Sequence, residues 1–256
     1  MISQEENKLL IQTNRGTPCG KLMRRCWQPA ALSEELTADK PLPVTLFGEE
    51  LILFRDEQGT PALIGRYCAH QGMDMIYSRV ERDGIRCLYH GWLFDTRGKV
   101  VVRGEWFPGG EQRMEVGQPA YPCVESDGVI FTYMGTGEPS TLLAHQLFVE
   151  PPTSFGRTKI LRPENYLQGI LHAQKTPLNA GRFVVPNLVI FSGTSSGAEN
   201  SVRWHVPVDD NSHVEFTLRY CGESSISGDS LGAARQVLLK AMEEIRVIAE
   251  SCKDRL

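Results

Sequence analysis

Two short stretches of the chain set a thiol and an imidazole close together. They are Cys68-Ala-His70 and Cys87-Leu-Tyr-His90, with sixteen residues between them. Each half offers one soft sulfur and one imidazole nitrogen from a single short loop. A [2Fe–2S] cluster with two thiolates on one iron and two imidazoles on the other needs this set of donors. On that reading Cys68 and Cys87 bind one iron, and His70 and His90 bind the other. The same four residues could also hold one structural zinc ion. Zinc sites of that composition usually pair like with like, as C-x2–4-C and H-x3–5-H, whereas each half here is mixed.

Gly72 and Gly91 follow the two histidines closely. A backbone that must turn sharply beside a cluster benefits from residues without Cβ, which accept positive φ. The elements that would hold these loops read as short strands. Pro43–Phe47, Leu51–Phe54, Pro61–Ile64, Ile85–Cys87, Trp92–Phe94, Lys99–Val102 and Val129–Tyr133 are apolar or alternating runs. Asp56–Gly59, Asp95–Gly98 and Ser126–Gly128 are turns between them. Many short strands with regular turns predict a small sandwich or barrel. One helical turn is expected at Ser33–Leu36, with Ser33 as its cap. Gly135-Thr-Gly-Glu-Pro139 and Pro151-Pro152 break the pattern and mark a domain boundary. Beyond it, Phe183–Val185, Leu188–Phe191, Val202–Val206 and Val214–Tyr220 read as strands, with a turn at Asp209–Ser212. The stretch Leu231–Ala249 has apolar residues at helical spacing.

The other chemistry-bearing residues give weaker signals. His205, Asp209 and His213 form the one close set that could make a 2-His-1-carboxylate triad for iron; the competing reading is an ordinary polar turn. His145 is expected at the surface. Cys19, Cys26, Cys123, Cys221 and Cys252 have no partner at ligand spacing and read as packing residues. The 256 residues suffice for a large core or two modest ones. A net charge of −4 gives no basic patch for nucleic acid. No apolar run approaches the roughly 20 residues of a membrane span. Met1–Gln12 is polar and acidic, unlike a secretory signal. A soluble, cytoplasmic protein is expected.

Tyr89-His-Gly-Trp92-Leu-Phe-Asp95 resembles the second ligand loop of the Rieske non-haem iron oxygenases. Leu22–Leu36, Gly104-Glu-Trp-Phe-Pro-Gly-Gly110 and Tyr133-Met-Gly135 are similar to the phthalate-dioxygenase-like branch of that family. Glu164-Asn-Tyr-Leu-Gln-Gly169 and Trp204-His-Val-Pro-Val-Asp-Asp210 resemble pieces of its catalytic domain. High-potential Rieske proteins of respiratory complexes carry an extra cysteine in each ligand loop. Neither loop has one here, so a lower potential is expected.

The resemblance implies an α+β chain. An all-β Rieske domain over residues 1–140 would precede a reduced α/β, helix-grip-like catalytic region over 141–256, covered by the C-terminal helix. It implies the oxygenase α subunit of an enzyme that hydroxylates or demethylates an aromatic or related small organic substrate with O2. Electrons would enter the cluster from a reductase or ferredoxin, and a homotrimer is implied. The family also carries a mononuclear Fe(II), bound by Asp-x-x-His-x4-His after the Asn-Tyr-Leu-Gln-Gly stretch. Here Gly169 is followed by Ile-Leu-His172-Ala-Gln-Lys-Thr-Pro177, which supplies only His172. The chain reads as an α subunit with internal segments absent. Two alternatives remain: an electron-transfer protein without oxygenase activity, and a degenerate, non-catalytic subunit.

Overall fold

The computed structural model describes residues 4–102, 117–139, 155–174, 182–184, 186–191 and 199–221. The Gly104–Gly110 motif, His145, Pro177 and the expected helix over Leu231–Ala249 lie outside the described residues. The chain divides into two compact units. One joins Met1–Gln28 to Gly135–Leu256, and the other is Pro29–Met134.

The Pro29–Met134 unit is built from three sheets. The first holds β1 (Gln28–Leu32), β11 (Val129–Thr132) and β10 (Cys123–Ser126), in the order β1-β11-β10. The second runs β2-β3-β4-β9, from Leu42–Leu46, Glu49–Arg55, Pro61–Gly65 and Ala120–Tyr121. The third runs β5-β6-β7-β8, from Arg79–Glu81, Gly84–Arg86, Leu93–Phe94 and Val100–Val102. The expected strands are all present. β1, β5, β9 and β10 are additional, too short or too irregular in pattern to stand out in the sequence. Leu51, Ile52, Leu53 and Phe54 are all buried, so both faces of β3 are covered. β2 and β3 are joined by a tight hairpin in which Phe47 and Gly48 both take positive φ. A buried phenylalanine in that conformation is strained, and the burial of its ring offsets the cost. The helical turn at Ser33–Glu35 is a 3-10 turn whose N-cap is Leu32, not Ser33. The Glu35 carboxylate accepts the Leu32 N–H at 2.8 Å.

The other unit is organised around one antiparallel sheet, in the order β12-β16-β15-β14-β13. Its strands are Phe155–Arg162, Arg182–Val184, Leu188–Phe191, Glu199–Pro207 and His213–Cys221, numbered β12 to β16 along the chain. The helix α3 (Tyr166–Gln174) packs against β15 and β14. Two N-terminal helices, α1 (Gln4–Ile11) and α2 (Pro18–Arg24), belong to this unit as well. Met1–Gln28 thus groups with the stretch from Gly135 onward, and Pro29–Met134 stands as its own unit. Hydrogen bonds explain this. Thr13 N–H donates to the Asp210 carboxylate (2.9 Å), Asn165 Nδ2 to the Ile11 carbonyl (3.1 Å), and the Tyr166 hydroxyl to the Leu10 carbonyl (2.7 Å). These partners are far apart in the chain, beyond the reach of local pattern. No described helix is long and apolar enough to cross a membrane.

Candidate metal centre

The two mixed loops are built alike. Cys68 N–H donates to the Met73 carbonyl and the Cys68 carbonyl accepts from Gly72 N–H, both at 2.8 Å. Cys87 N–H donates to the Trp92 carbonyl at 2.9 Å, and the Cys87 carbonyl accepts from Gly91 N–H at 3.0 Å. Each loop therefore closes from its cysteine to the fourth and fifth residues beyond. Both glycines sit at φ 72°, a region any L side chain rarely adopts. The shared Cys-x3-Gly spacing is visible in the sequence once looked for. It is masked there because the histidine falls second after the cysteine in one loop and third in the other.

The loops rest on an apolar core that contains both cysteines, with Ile52, Ile64, Met75, Ile85 and Phe94. The four candidate ligands meet two by two. Cys68 and Cys87 lie buried in that one core, near enough for Cys87 to act on the Cys68 thiol. The His70 and His90 rings stand edge to face with centroids 4.8 Å apart. Among the described residues, no three His, Cys, Asp or Glu side chains converge as they would on one metal ion. A single tetrahedral zinc draws all four donors to one point. A binuclear cluster instead separates a thiolate pair from an imidazole pair, and the residues fit that group. Burial pushes the Cys68 thiol up to about 11, while the backbone N–H groups of His70 and Gln71 and the neighbouring Cys87 act on it more weakly. Loading metal must therefore displace a proton. Burial, with His90 nearby, lowers the pKa of His70 and keeps it in the neutral form that binds metal.

Several residues that hold the loops carried no sequence signal. Gln118, buried, reaches the first loop from a distant part of the chain. Its Nε2 donates to the carbonyls of Gly65 (2.6 Å) and Tyr67 (2.7 Å), and its Oε1 accepts from Ala69 N–H (2.7 Å). Three alternate residues are gripped on one side, which leaves Cys68 to face the other. Arg66 forks onto Asp74 across the same loop, with Nη2 2.8 Å from Oδ2. Arg86 donates to the Gly91 carbonyl (2.7 Å) and pairs with Glu81 (2.7 Å). Hydrogen bonding from Arg86, helped by Arg79 and opposed by burial, holds the Glu81 carboxyl down to about 2. Each loop thus has an arginine–carboxylate clamp. Trp92 stacks flat on His70, with centroids 4.4 Å apart and planes 8° apart.

The proposed iron triad of the second half does not form. His205 Nδ1 and His213 Nε2 do meet, at 3.1 Å. Asp209 stays in the turn, where its Oδ1 accepts from Ser212 N–H (2.7 Å) and Asn211 N–H (2.8 Å). His172 is exposed on α3 and faces the Glu164 carboxylate at 3.1 Å. The remaining described cysteines fit the packing reading. Burial raises the pKa of Cys19, which lies 3.3 Å from the Tyr166 hydroxyl. Desolvation likewise pushes Cys26 up to about 11 and Cys123 up to about 12.

Residues 26–105 match the family described as the Rieske [2Fe-2S] domain. The chain is 45% identical over 129 residues to the phenoxybenzoate dioxygenase subunit alpha of Ectopseudomonas oleovorans, covering 50% of this chain and 31% of that protein. It is 39% identical over 137 residues to the phthalate 4,5-dioxygenase oxygenase subunit of Pseudomonas putida, covering 53% and 31%. The matched segment thus spans under a third of the length of these relatives. The oxygenase in a reduced oxygenase–ferredoxin complex of carbazole 1,9a-dioxygenase has a similar fold. Its TM-score is 0.62 at 15% identity, covering 94% of this chain and 82% of that one.

Proposed function

We propose that Cys68, His70, Cys87 and His90 hold a [2Fe–2S] cluster in an oxygenase component, a reading supported by the match of residues 26–105 to the Rieske [2Fe-2S] domain. The observation that carries this reading is the pairwise grouping of the four residues, both cysteines in one buried core and both rings edge to face. When bound, such a cluster stores and passes one electron. The residues of the chain set the conditions. Gln118 and the Arg66–Asp74 pair fix the loop of Cys68 and His70. Arg86 fixes the loop of Cys87 and His90. The core under the cysteines keeps water from the sulfur side. The donor would be a ferredoxin or reductase, as in the similar oxygenase–ferredoxin complex. The whole protein would oxidise an aromatic or related small organic compound with O2, as the names of its relatives indicate for them. A homotrimer in a reducing, cytoplasmic compartment belongs to the same proposal.

A second reading is favoured by one observation. His172 is exposed and paired to Glu164, and the His205–His213 pair has no carboxylate at ligand distance among the described residues. The described residues do not fit a mononuclear iron. On this reading the chain carries electrons without activating oxygen. Iron and acid-labile sulfide assays separate the two. Three irons with two sulfides per chain, and product from an aromatic acid, support the oxygenase. Two irons with two sulfides, and redox cycling without product, support electron transfer. A chain that binds neither iron nor sulfide refutes both.

A further inference from the structure

Trp92 stands where the two ligand loops meet. Its carbonyl accepts the Cys87 N–H and so closes the second loop. Its indole lies flat against His70 of the first loop. It packs in the same core as Cys68 and Cys87. The residue is only 8% exposed, and its Nε1–H has no hydrogen-bond partner among the described residues. An indole nitrogen can only donate. Native structures rarely leave a buried donor without an acceptor, and each exception calls for a missing partner. The buried residues grouped with it in that core are apolar or carry sulfur, and the Met75 thioether already takes the Ser78 hydroxyl at 3.2 Å. The matching position of the first loop, five residues after its cysteine, is Met73, which has no donor to give. The N–H is therefore a feature of one side of the centre only.

We propose that Trp92 Nε1–H donates a hydrogen bond to a sulfur of the [2Fe–2S] cluster, thiolate or bridging sulfide, and raises its reduction potential. The inference rests on the cluster reading above. A hydrogen bond to sulfur stabilises the more negative, reduced cluster more than the oxidised one, so it shifts the potential upward. The stack on His70 and the backbone bond to Cys87 hold the indole from both loops, so the donor is fixed before the cluster arrives.

Two measurements on the full chain with its cluster loaded test this. The first uses wild-type protein grown with tryptophan labelled with 15N in the indole ring. Pulsed EPR of the reduced cluster should show a coupling to indole nitrogen, and Trp92→Phe should abolish it while Trp27, Trp106 and Trp204 remain. The second is the potential of Trp92→Phe, which keeps a flat ring to stack on His70 and lacks the N–H. It should load two irons and two sulfides and have a lower potential than wild type. No indole coupling in loaded wild-type protein overturns the hydrogen bond, even where the variant has a shifted potential. An unchanged potential in the loaded variant overturns the tuning. If Trp92→Phe fails to load, the labelled wild type still decides. Wild-type protein that binds no iron or sulfide refutes the underlying cluster reading instead.

Discussion

The buried pair His205 and His213 should make the protein sensitive to mild acid. The Glu164 backbone carbonyl can only accept, so His213 Nδ1, 2.8 Å away, carries the proton. His213 Nε2 is then a lone pair, and His205 Nδ1–H donates to it at 3.1 Å. His205 Nε2 is left as a lone pair, buried and without a partner among the described residues. Both rings are fully buried, and both are held neutral. Burial, then the nearby His213, Arg203 and Arg162, bring the His205 pKa down to about 3. Burial also lowers His213, with Glu164 and Glu215 opposing and Arg162 assisting. The unfolded chain protonates these groups near pH 6.5, and the folded chain does not. Stability is therefore complete above that pH and is lost as pH falls from 6.5 toward 3. The loss is about 1.4 kcal/mol per pH unit for His205 alone, or about 3 kcal/mol by about pH 4.5. That is a large share of the roughly 5–15 kcal/mol that holds a domain. Urea unfolding at a series of pH values, for wild type and His205→Gln, would measure it. The variant should have a shallower slope by about one proton. Equal slopes, or wild-type stability that stays flat as the medium is taken from neutral to mildly acidic, would refute the reasoning.

Replacing His90 by Cys should lower the cluster potential, since imidazole ligation is what raises it above that of an all-cysteine cluster; voltammetry of the loaded variant reads this directly. Gln118→Leu should strand the Ala69 N–H and two loop carbonyls, at about 1–3 kcal/mol for each group that stays buried. Cluster occupancy should fall and amide exchange at residues 65–69 should rise, whereas unaltered exchange would deny the clasp. Gly84→Ala should be poorly tolerated, because φ there is +142° and a Cβ would collide with the Phe94 carbonyl. An unchanged thermal midpoint would contradict that packing. Gly169→Ala should disturb the His205–His213 pair, since a Cβ would press on the His213 ring. The pH slope of unfolding should shift with it, and an unchanged slope would show that α3 yields freely.

The proposed ligands were legible because metal chemistry restricts residue types, and short loops restrict spacing. Cys68, His70, Cys87 and His90 stood out for that reason, as did the turns Asp56–Gly59 and Asp95–Gly98. Their supports were not legible. Gln118 acts through three backbone groups and leaves no pattern in its own neighbourhood. The Arg66–Asp74 and Arg86–Glu81 clamps use residues that ordinarily serve as solvated surface. The triad His205, Asp209, His213 was half informative. Antiparallel register pairs Pro207 with His213 and His205 with Glu215, which brings the histidines together diagonally. The backbone N–H groups of the intervening turn claim Asp209 for themselves.

The divided unit also has a consequence for how the chain is made. The Tyr166 hydroxyl that holds the Leu10 carbonyl lies 156 positions downstream of it. At roughly 5–20 residues per second of translation, α1 and α2 wait about 8–30 s for that partner, and longer for Asp210. The Pro29–Met134 unit is complete earlier, and β1 and β11 at its two ends are neighbours in one sheet, so it can close before the later strands are made. Leu22 and Met23, buried in the finished protein, are on offer to other apolar surfaces during that interval. The α1–α2 segment is thus most exposed to chaperones and to misassembly in that interval, while the loops of Cys68 and Cys87 can already be shaped.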